Sequence, residues 1–365
     1  MKIFKEIQDR GHEQVAIFHD PNSGLKGIVA IHNTVLGPAL GGCRMWNYSN
    51  ESEALVDVLR LSKGMTYKAA IAGLNLGGGK AVIIGDSKTE KTESLFRSFG
   101  RFVEGLGGRY ITAEDVGTSI RDMEYVRMET DYVTGISQAL GGSGDPSPVT
   151  AYGVFIGMKA CISKKIGIND FNGLKIAVQG LGHVGMHLCE YLHDAGAELY
   201  VTDIDPVIMG EAIEKFSASP VDPKEILNMD VDIYAPCALG ATIDKKTIDQ
   251  LKCKIIAGAA NNQLAENELG IELKKRNILY APDYAINAGG LINVSNELEG
   301  YNRERAFSQA EGIYDTLMEI FHRSENENIS TNKASDLQAE DRLKKIGELK
   351  SFYLPDKKTF KIRNA

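Results

Sequence analysis

The sequence predicts an α/β protein of two domains, the first built on a mixed sheet and the second on a doubly wound parallel sheet. Three observations predict it. The chain has 365 residues, more than one ordinary core organises. Beyond about position 150, apolar strand-like runs alternate with helical segments, the pattern of a parallel sheet. Between the halves lies Gly141-Gly142-Ser143-Gly144-Asp145-Pro146-Ser147-Pro148, whose small, turn-forming residues suit a hinge or boundary. The expected limits are 1–140, completed by a C-terminal helix within 333–365, and 141–332.

In the first half, Glu13 to His19 and Lys26 to Asn33 flank the turn sequence Asp20-Pro21-Asn22-Ser23-Gly24 and predict a hairpin. Asn50 with Glu53 predicts the start of a helix whose Leu55, Val58, Leu59 and Ser62 share a face and which runs into Lys68. A tight glycine turn into a strand at Ala81 to Ile84 comes next. An amphipathic helix through Leu95, Phe96, Phe99, Phe102, Val103 and Leu106 then delivers the chain to a strand at Tyr110 to Thr112. In the second half, a helix from Thr150 precedes strands at Lys175 to Val178, Glu198 to Val201, Val231 to Tyr234, Lys254 to Ala257 and Ile278 to Tyr280. Glu304 to Arg323 and Ala334 to Leu349 read as helices separated by a polar break, the last returning to the first domain.

Composition narrows the function. Lys and Arg number 41 against 49 Asp and Glu, net charge −8, with no basic tract, so nucleic acid and anionic membranes are not expected partners. No stretch approaches the ~20 apolar residues of a membrane-spanning helix, and a soluble cytoplasmic protein is expected. Five scattered cysteines without Cys-x-x-Cys fit reduced thiols. His183 and His187 lack the acidic neighbour of a His-Glu-x-x-His site, so no metal is expected.

Gly180-Leu181-Gly182-His183-Val184-Gly185 follows a strand and opens a helix, the setting in which GxGxxG binds a dinucleotide. Pyrophosphate would meet the helix amides. Asp203 ends the next strand, 23 residues after Gly180, where a carboxylate accepts ribose hydroxyls and repels a 2′-phosphate. The expected cofactor is therefore NAD. Asn261, in Gly258-Ala259-Ala260-Asn261-Asn262, is a candidate for ribose or nicotinamide, with a turn role as the alternative.

Lys80 follows Gly77-Gly78-Gly79, twelve residues after Lys68. A phosphate-binding P-loop is excluded by spacing, since Leu74 stands where its first glycine belongs and Ala81 where its hydroxyl belongs. The glycines instead suggest close backbone approach and positive φ beside a small ligand.

Together these segments resemble the amino-acid dehydrogenases of the glutamate, leucine, phenylalanine and valine group. The resemblance rests on Gly37-Pro38-Ala39-Leu40-Gly41-Gly42-Cys43-Arg44-Met45, Lys63-Gly64-Met65-Thr66-Tyr67-Lys68, Leu76-Gly77-Gly78-Gly79-Lys80, Ala113-Glu114-Asp115-Val116-Gly117-Thr118, the GxGxxG and Asn287-Ala288-Gly289-Gly290. It implies that Lys68 binds the substrate α-carboxylate, that Lys80 is catalytic and that Asp115 is the acid/base carboxylate. It places Gly41 and Met65 with the substrate, and Thr150 and Asn287 with the cofactor. The implied reaction is reversible oxidative deamination of an L-amino acid to a 2-oxo acid, ammonia and NADH, in a homo-oligomer, often an octamer.

Glutamate-specific relatives carry a lysine where this chain has Leu40, so an aliphatic side chain is expected in a pocket of Leu40, Ala113, Leu291 and Val294. Ala113 narrows that pocket and favours leucine, valine and isoleucine, while Leu291 is shared with phenylalanine-preferring members. Two rivals share the NAD fold. A hydroxy-acid dehydrogenase needs a histidine base, and none lies in the glycine-lysine region. A non-catalytic NAD sensor would leave Lys68, Lys80 and Asp115 unexplained.

Overall fold

The computed structural model describes residues 3–238 and 240–349. The chain divides into two compact units. One comprises the chain up to Asp145, Val294–Arg303 and the chain from Ala339, and the other comprises Pro146–Asn293 and Glu304–Gln338. The expected limits are corrected in three places. Residues 141–145 stay with the first unit because Ser143 N (2.8 Å) and Gly135 N (3.0 Å) both donate to Glu297, which also draws Val294–Arg303 across. The start of the last helix stays with the second, where Asp336 accepts from Tyr284 Oη at 2.7 Å and Asn332 donates to Asn267 O. Positions 350–365 of the expected C-terminal completion lie outside the described residues.

The first unit opens with α1 (Ile3–Arg10), then β1 (Gln14–Asp20) and β2 (Leu25–Asn33), the expected antiparallel hairpin. β3 (Ala39–Leu40) and β4 (Cys43–Trp46) lead into α2 (Glu51–Ile71), capped by Asn50, whose side chain accepts from Glu53 N. β5 (Gly77–Ile84), α3 (Glu93–Glu104), β6 (Tyr110–Ile111) and α4 (Ile120–Arg127) complete the unit's main elements. The sheet order is β1-β2-β5-β3-β6, with β4 also on β5. It is antiparallel from β1 to β5 and parallel beyond.

Alternation along the strands fills both faces. Ile28, Ala30 and Val82 pack with Leu55, Val58 and Leu59 of α2, whereas Val29, Ile31, Ala81 and Ile83 pack with Leu95, Phe96 and Phe99 of α3.

One expectation fails here. The glycine run is a central strand instead of a turn, and none of Gly77, Gly78 and Gly79 has positive φ. What the absent side chains admit is protein: a Cβ would lie 2.0 Å from Asn33 O at Gly77, 2.1 Å from Thr66 N at Gly78 and 2.7 Å from the Tyr110 ring at Gly79. Glycine is required because α2 and the neighbouring strands press onto β5, so the expected close approach is found while the expected turn and positive φ are set aside.

The second unit begins with α5 (Ser147–Lys165), β7 (Lys175–Gln179), α6 (His183–Asp194), β8 (Glu198–Thr202), α7 (Pro206–Phe216) and a short β9 (Ser219–Pro220). It continues through β10 (Ile233–Pro236), β11 (Ile255–Ile256), α8 (Leu269–Lys275), β12 (Leu279–Tyr280), α9 (Asp283–Ile286), most of α10 (Gly289–Ser295), most of α11 (Arg303–Glu311), α12 (Ile313–Asn326) and the first half of α13 (Thr331–Gly347), whose remainder from Ala339 belongs to the first unit. The order β9-β8-β7-β10-β11-β12 is parallel throughout. Numbered within this sheet it reads 3-2-1-4-5-6, the dinucleotide-binding topology, whose switch point falls between β7 and β10. No helix among the described residues is long and apolar enough to cross a membrane.

Candidate active site

β3 and β4 form one interrupted run along β5. Leu40 pairs with Gly78 and Cys43 with Ala81, leaving Gly41 and Gly42 opposite Gly79 and Lys80. The break is crowded: a Cβ on Gly41 would sit 1.8 Å from Gly79 O, and one on Gly42 would sit 2.4 Å from Glu114 O and 2.9 Å from Asp115 Cβ. Lys80 and Asp115 therefore meet across glycine backbone.

Lys80 is 5% exposed, and its Nζ lies 3.0 Å from Asp115 Oδ1. The other oxygen, Oδ2, accepts from Arg44 Nε at 3.0 Å. Burial pushes the Asp115 carboxyl up, but the adjacent Lys80 and Arg44 outweigh it and hold the group below its ordinary range, as a carboxylate. The turn that presents it is fixed by Thr118, whose Oγ1 accepts from Asp115 N at 2.9 Å and lies 2.9 Å from Cys43 O as donor. Gly117 makes this turn at φ +83, with Met45 O where a Cβ would stand. Next door, burial and the charges of Asp145, Glu297 and Asp115 raise Glu114 to about 6.

Lys68 stands half-buried on the last turn of α2, two residues past Thr66, which packs on Gly78. Met65 approaches Gly41 from the same helix, its Cγ 3.3 Å from the position a Cβ would take. Leu40, Ala113 and Val294, all in the first unit, are buried at 1%, 6% and 8% exposure. Leu291 is buried on α10 in the second unit. The structure thus gathers Lys80, Asp115, Gly41 and Met65 into one cluster. The open groove of about 910 Å³ lined by His19, Asp20, Arg97, Arg101 and Phe102 holds none of the expected site residues.

Two residues of consequence had no role in the sequence reading. Arg44 stands in the quoted glycine motif, and Asp57 sits on the face of α2 beside it. A signal existed only for Arg44, two positions after the glycine pair. Nothing local marks Asp57.

The nucleotide candidates gather in the second unit. At Gly180, φ is +99 and a Cβ would lie 2.6 Å from Ala238 N, so the turn demands glycine. At Gly185 a Cβ would strike Gly180 O at 2.1 Å, so helix and turn pack tightly. Gly182 is different: among the described residues nothing lies within 4 Å of its Cβ position and no side chain of the N-cap position caps α6, which begins at His183 and Val184. Open space over the second glycine beside an uncapped helix start fits a pyrophosphate cradle. Asp203 accepts from Leu181 N at 2.6 Å and Asp205 N at 2.9 Å, so the carboxylate expected at the ribose also braces the glycine turn. Asn287 Nδ2 donates to Asn261 Oδ1 at 2.9 Å and Ala259 O at 3.0 Å, while its own Oδ1 is buried with no partner among the described residues. Thr150 Oγ1 donates to Pro146 O at 2.9 Å and packs against Gly290. These features fit a bound dinucleotide.

A mixed-sheet unit with a lysine–aspartate pair and a unit of dinucleotide-binding topology define a dehydrogenase of two-domain type. Residues 12–132 match the Glu/Leu/Phe/Val dehydrogenase dimerisation domain, and residues 141–212 and 207–345 match the Glutamate/Leucine/Phenylalanine/Valine dehydrogenase domain. The chain belongs to this family of amino-acid dehydrogenases. It is 54% identical over 354 residues to leucine dehydrogenase of Bacillus cereus and 55% identical over 354 residues to that of Bacillus subtilis (strain 168), covering 97% of this chain and of each relative. Among solved structures it resembles L-tryptophan dehydrogenase from Nostoc punctiforme, with TM-score 0.84 and 48% identity, covering 94% of this chain and 99% of that one.

Proposed function

We propose that the protein catalyses reversible oxidative deamination of branched-chain aliphatic L-amino acids, L-leucine preferred, with NAD as hydride acceptor. The observation that carries the reading is the buried Lys80–Asp115 pair at 3.0 Å, set in a chain more than half identical to leucine dehydrogenases. Lys68 supplies the cation for the substrate α-carboxylate. Glycines 180, 182 and 185, with Asp203, Asn261, Asn287 and Thr150, hold the dinucleotide, and the carboxylate of Asp203 favours NAD over its 2′-phosphorylated form. Bound NAD supplies the acceptor for hydride leaving the substrate Cα.

The chain's own work is proton transfer. An ammonium that hands its proton to Asp115 Oδ1 leaves a neutral amine at Lys80, able to take a proton from the water that attacks the substrate iminium. Asp115 then returns a proton to the departing nitrogen. Aliphatic Leu40 and Ala113 leave a substrate carboxylate unpaired, which disfavours glutamate. Because the Nostoc relative is a tryptophan dehydrogenase at 48% identity, side-chain preference is a property of pocket residues within one family. A cytoplasmic homo-oligomer fits the reading.

The test is NADH formation from L-leucine against L-valine, L-isoleucine, L-phenylalanine, L-tryptophan, L-glutamate and 2-hydroxyisocaproate. Turnover highest with L-leucine and absent with the hydroxy acid is expected. Lys80→Ala should lower kcat by about 10²-fold or more, and Lys68→Ala should chiefly raise KM for the amino acid. Wild-type kinetics in Lys80→Ala would overturn the assignment of roles.

A further inference from the structure

Behind the proposed pair runs a line of alternating charge. Lys80 meets Asp115, Asp115 meets Arg44, and Arg44 Nη1 meets Asp57 Oδ2 at 3.0 Å. Asp57 is anchored in turn by Tyr48 Oη at 2.7 Å and by Arg60 at 2.9 Å. The register explains the alignment. Arg44 pairs with Val82 across β4 and β5, and Val82 and Lys80 share one face of the strand, the face covered by α2.

We infer that Arg44, held by Asp57, is a positioning residue that fixes the orientation of Asp115 and confines its proton exchange to the oxygen facing Lys80. This rests on the roles proposed above for Lys80 and Asp115. A guanidinium stays protonated at any working pH and has no acceptor, so it cannot relay a proton. With Arg44 on Oδ2, proton traffic at Asp115 is left to Oδ1. The planar fork also explains arginine here: Nε and Nη1 reach two carboxylates at once, which a lysine ammonium on a flexible stem does not reproduce.

The other titratable or charged groups around Asp115 are Lys80 of β5, Cys43 of β4, Tyr48, Tyr110 of β6, the adjacent Glu114, and Asp57 and Arg60 of α2. The Lys91–Asp122 pair lies beyond Cys43. Arg44 and Lys80 both contact the carboxylate directly. Removing one of them makes deprotonation of the remaining pair harder, whichever member loses the proton.

The experiment is the pH profile of kcat/KM for L-leucine with NAD, in the full-length protein. Arg44→Met should move the acid limb upward by about one pH unit and leave KM for NAD unchanged. Arg44→Lys keeps the charge and loses the fork, so the limb should stay in place while kcat falls roughly tenfold or more. Asp57→Asn keeps the guanidinium and loosens its anchor, and should lower kcat several-fold without an upward shift. This variant also serves if Arg44→Met does not fold. An unmoved limb in Arg44→Met, or full kcat in Asp57→Asn, overturns the inference. Asp115→Asn run alongside separates the two claims. If it is inactive while the Arg44 profile is unmoved, the inference falls alone; if it turns over like the wild type, the proposed roles fall with it.

Discussion

A methyl group on Gly41 would lie 1.8 Å from the carbonyl oxygen of Gly79, a backbone atom that cannot swing aside. Gly41→Ala must therefore push the chain after β3 away from β5 at Gly79, the residue next to Lys80. We expect loss of kcat for L-leucine by about 10²-fold, the order of effect that a 1 Å misplacement produces, or loss of soluble protein. Gly64 supplies the contrast. It lies exposed in the middle of α2, with nothing within 4 Å of its Cβ position. Gly64→Ala should raise stability by up to about 1 kcal/mol through helix propensity, read as a higher urea midpoint. The two glycines look alike in the sequence, each inside a motif of the family resemblance. Glycine is used both where the backbone bends and where another backbone presses against it, and only the second use explains β5. The sequence exposes the requirement for glycine but not which neighbour imposes it, because Asn33, Thr66 and Tyr110 come from three other segments.

Among elements, the end of α2 carries a concentrated polar contact. Arg342 of α13 donates through Nη1 to Ala70 O at 2.9 Å and Leu74 O at 2.8 Å, and through Nη2 to Gly73 O at 2.9 Å and Asn75 Oδ1 at 3.2 Å. Carbonyls left over at a helix C-terminus need donors, and a cation there complements the helix dipole. Burial lowers the Arg342 pKa, and the four acceptors supply the hydrogen bonds that burial takes from water. Tyr67, next to Lys68, donates to Glu340 of the same helix at 2.8 Å. The clasp thus holds the turn that presents Lys68 and the segment leading into Lys80. Arg342→Ala leaves several carbonyls without their donor, a loss of about 1 to 3 kcal/mol. It should also raise KM for L-leucine while leaving KM for NAD unchanged. Equal changes in both constants would show that the clasp supports only the fold. The helix itself was legible from its charged periodicity, and so was its return to the first unit. Its target was not, since the contacts span some 270 positions of chain.

For the whole molecule, the parallel, doubly wound character of the second unit's sheet was legible because five of its strands carry their own apolar runs, whereas the edge strand β9, Ser219–Pro220, carries none and was not expected. The first unit's sheet was less legible. β3, β4 and β6 are two to four residues long, too short to show a period, and are placed by what β5 accepts. The same packing buries His12 and His32 edge to face, with ring centroids 4.8 Å apart. His12 Nε2 meets Leu59 O at 3.0 Å and Ser62 Oγ at 2.8 Å, while Nδ1 is buried without a partner among the described residues. A carbonyl only accepts, so Nε2 carries the proton, and a second proton on Nδ1 would find no acceptor. His32 Nδ1 meets Thr66 Oγ1 at 2.8 Å. Burial is the main cause that lowers both rings from 6.5 to about 4, with Arg10 and Lys63 adding to it at His12, and His12 and Lys63 at His32.

The sign follows from proton counts. Between about pH 6.5 and 4 the unfolded chain binds protons that the folded rings refuse, so the rings' contribution to stability is complete above that range and is lost as pH falls through it. Glu114 acts in the opposite direction: carried from 4.5 to about 6, it is protonated in the folded state first, and its penalty fades as pH falls. Glu297, raised chiefly by burial, acts with Glu114. Asp115 and Asp57, held low, contribute above the ordinary aspartate range and lose that contribution only below it. Two rings each carried from 6.5 to about 4 outweigh the two raised carboxyls, Glu114 carried from 4.5 to about 6 and Glu297 raised with it, so stability should fall between pH 7 and pH 5 and stay flat from pH 7 to pH 8. His32→Gln keeps an amide within reach of Thr66 and removes one titration. Urea unfolding at fixed protein concentration should then show a fall from pH 7 to pH 5 less than half that of the wild type, because one ring's share is gone while the opposing carboxyls are unchanged. A variant whose stability falls as steeply as the wild type over that interval would place the acid sensitivity elsewhere in the chain.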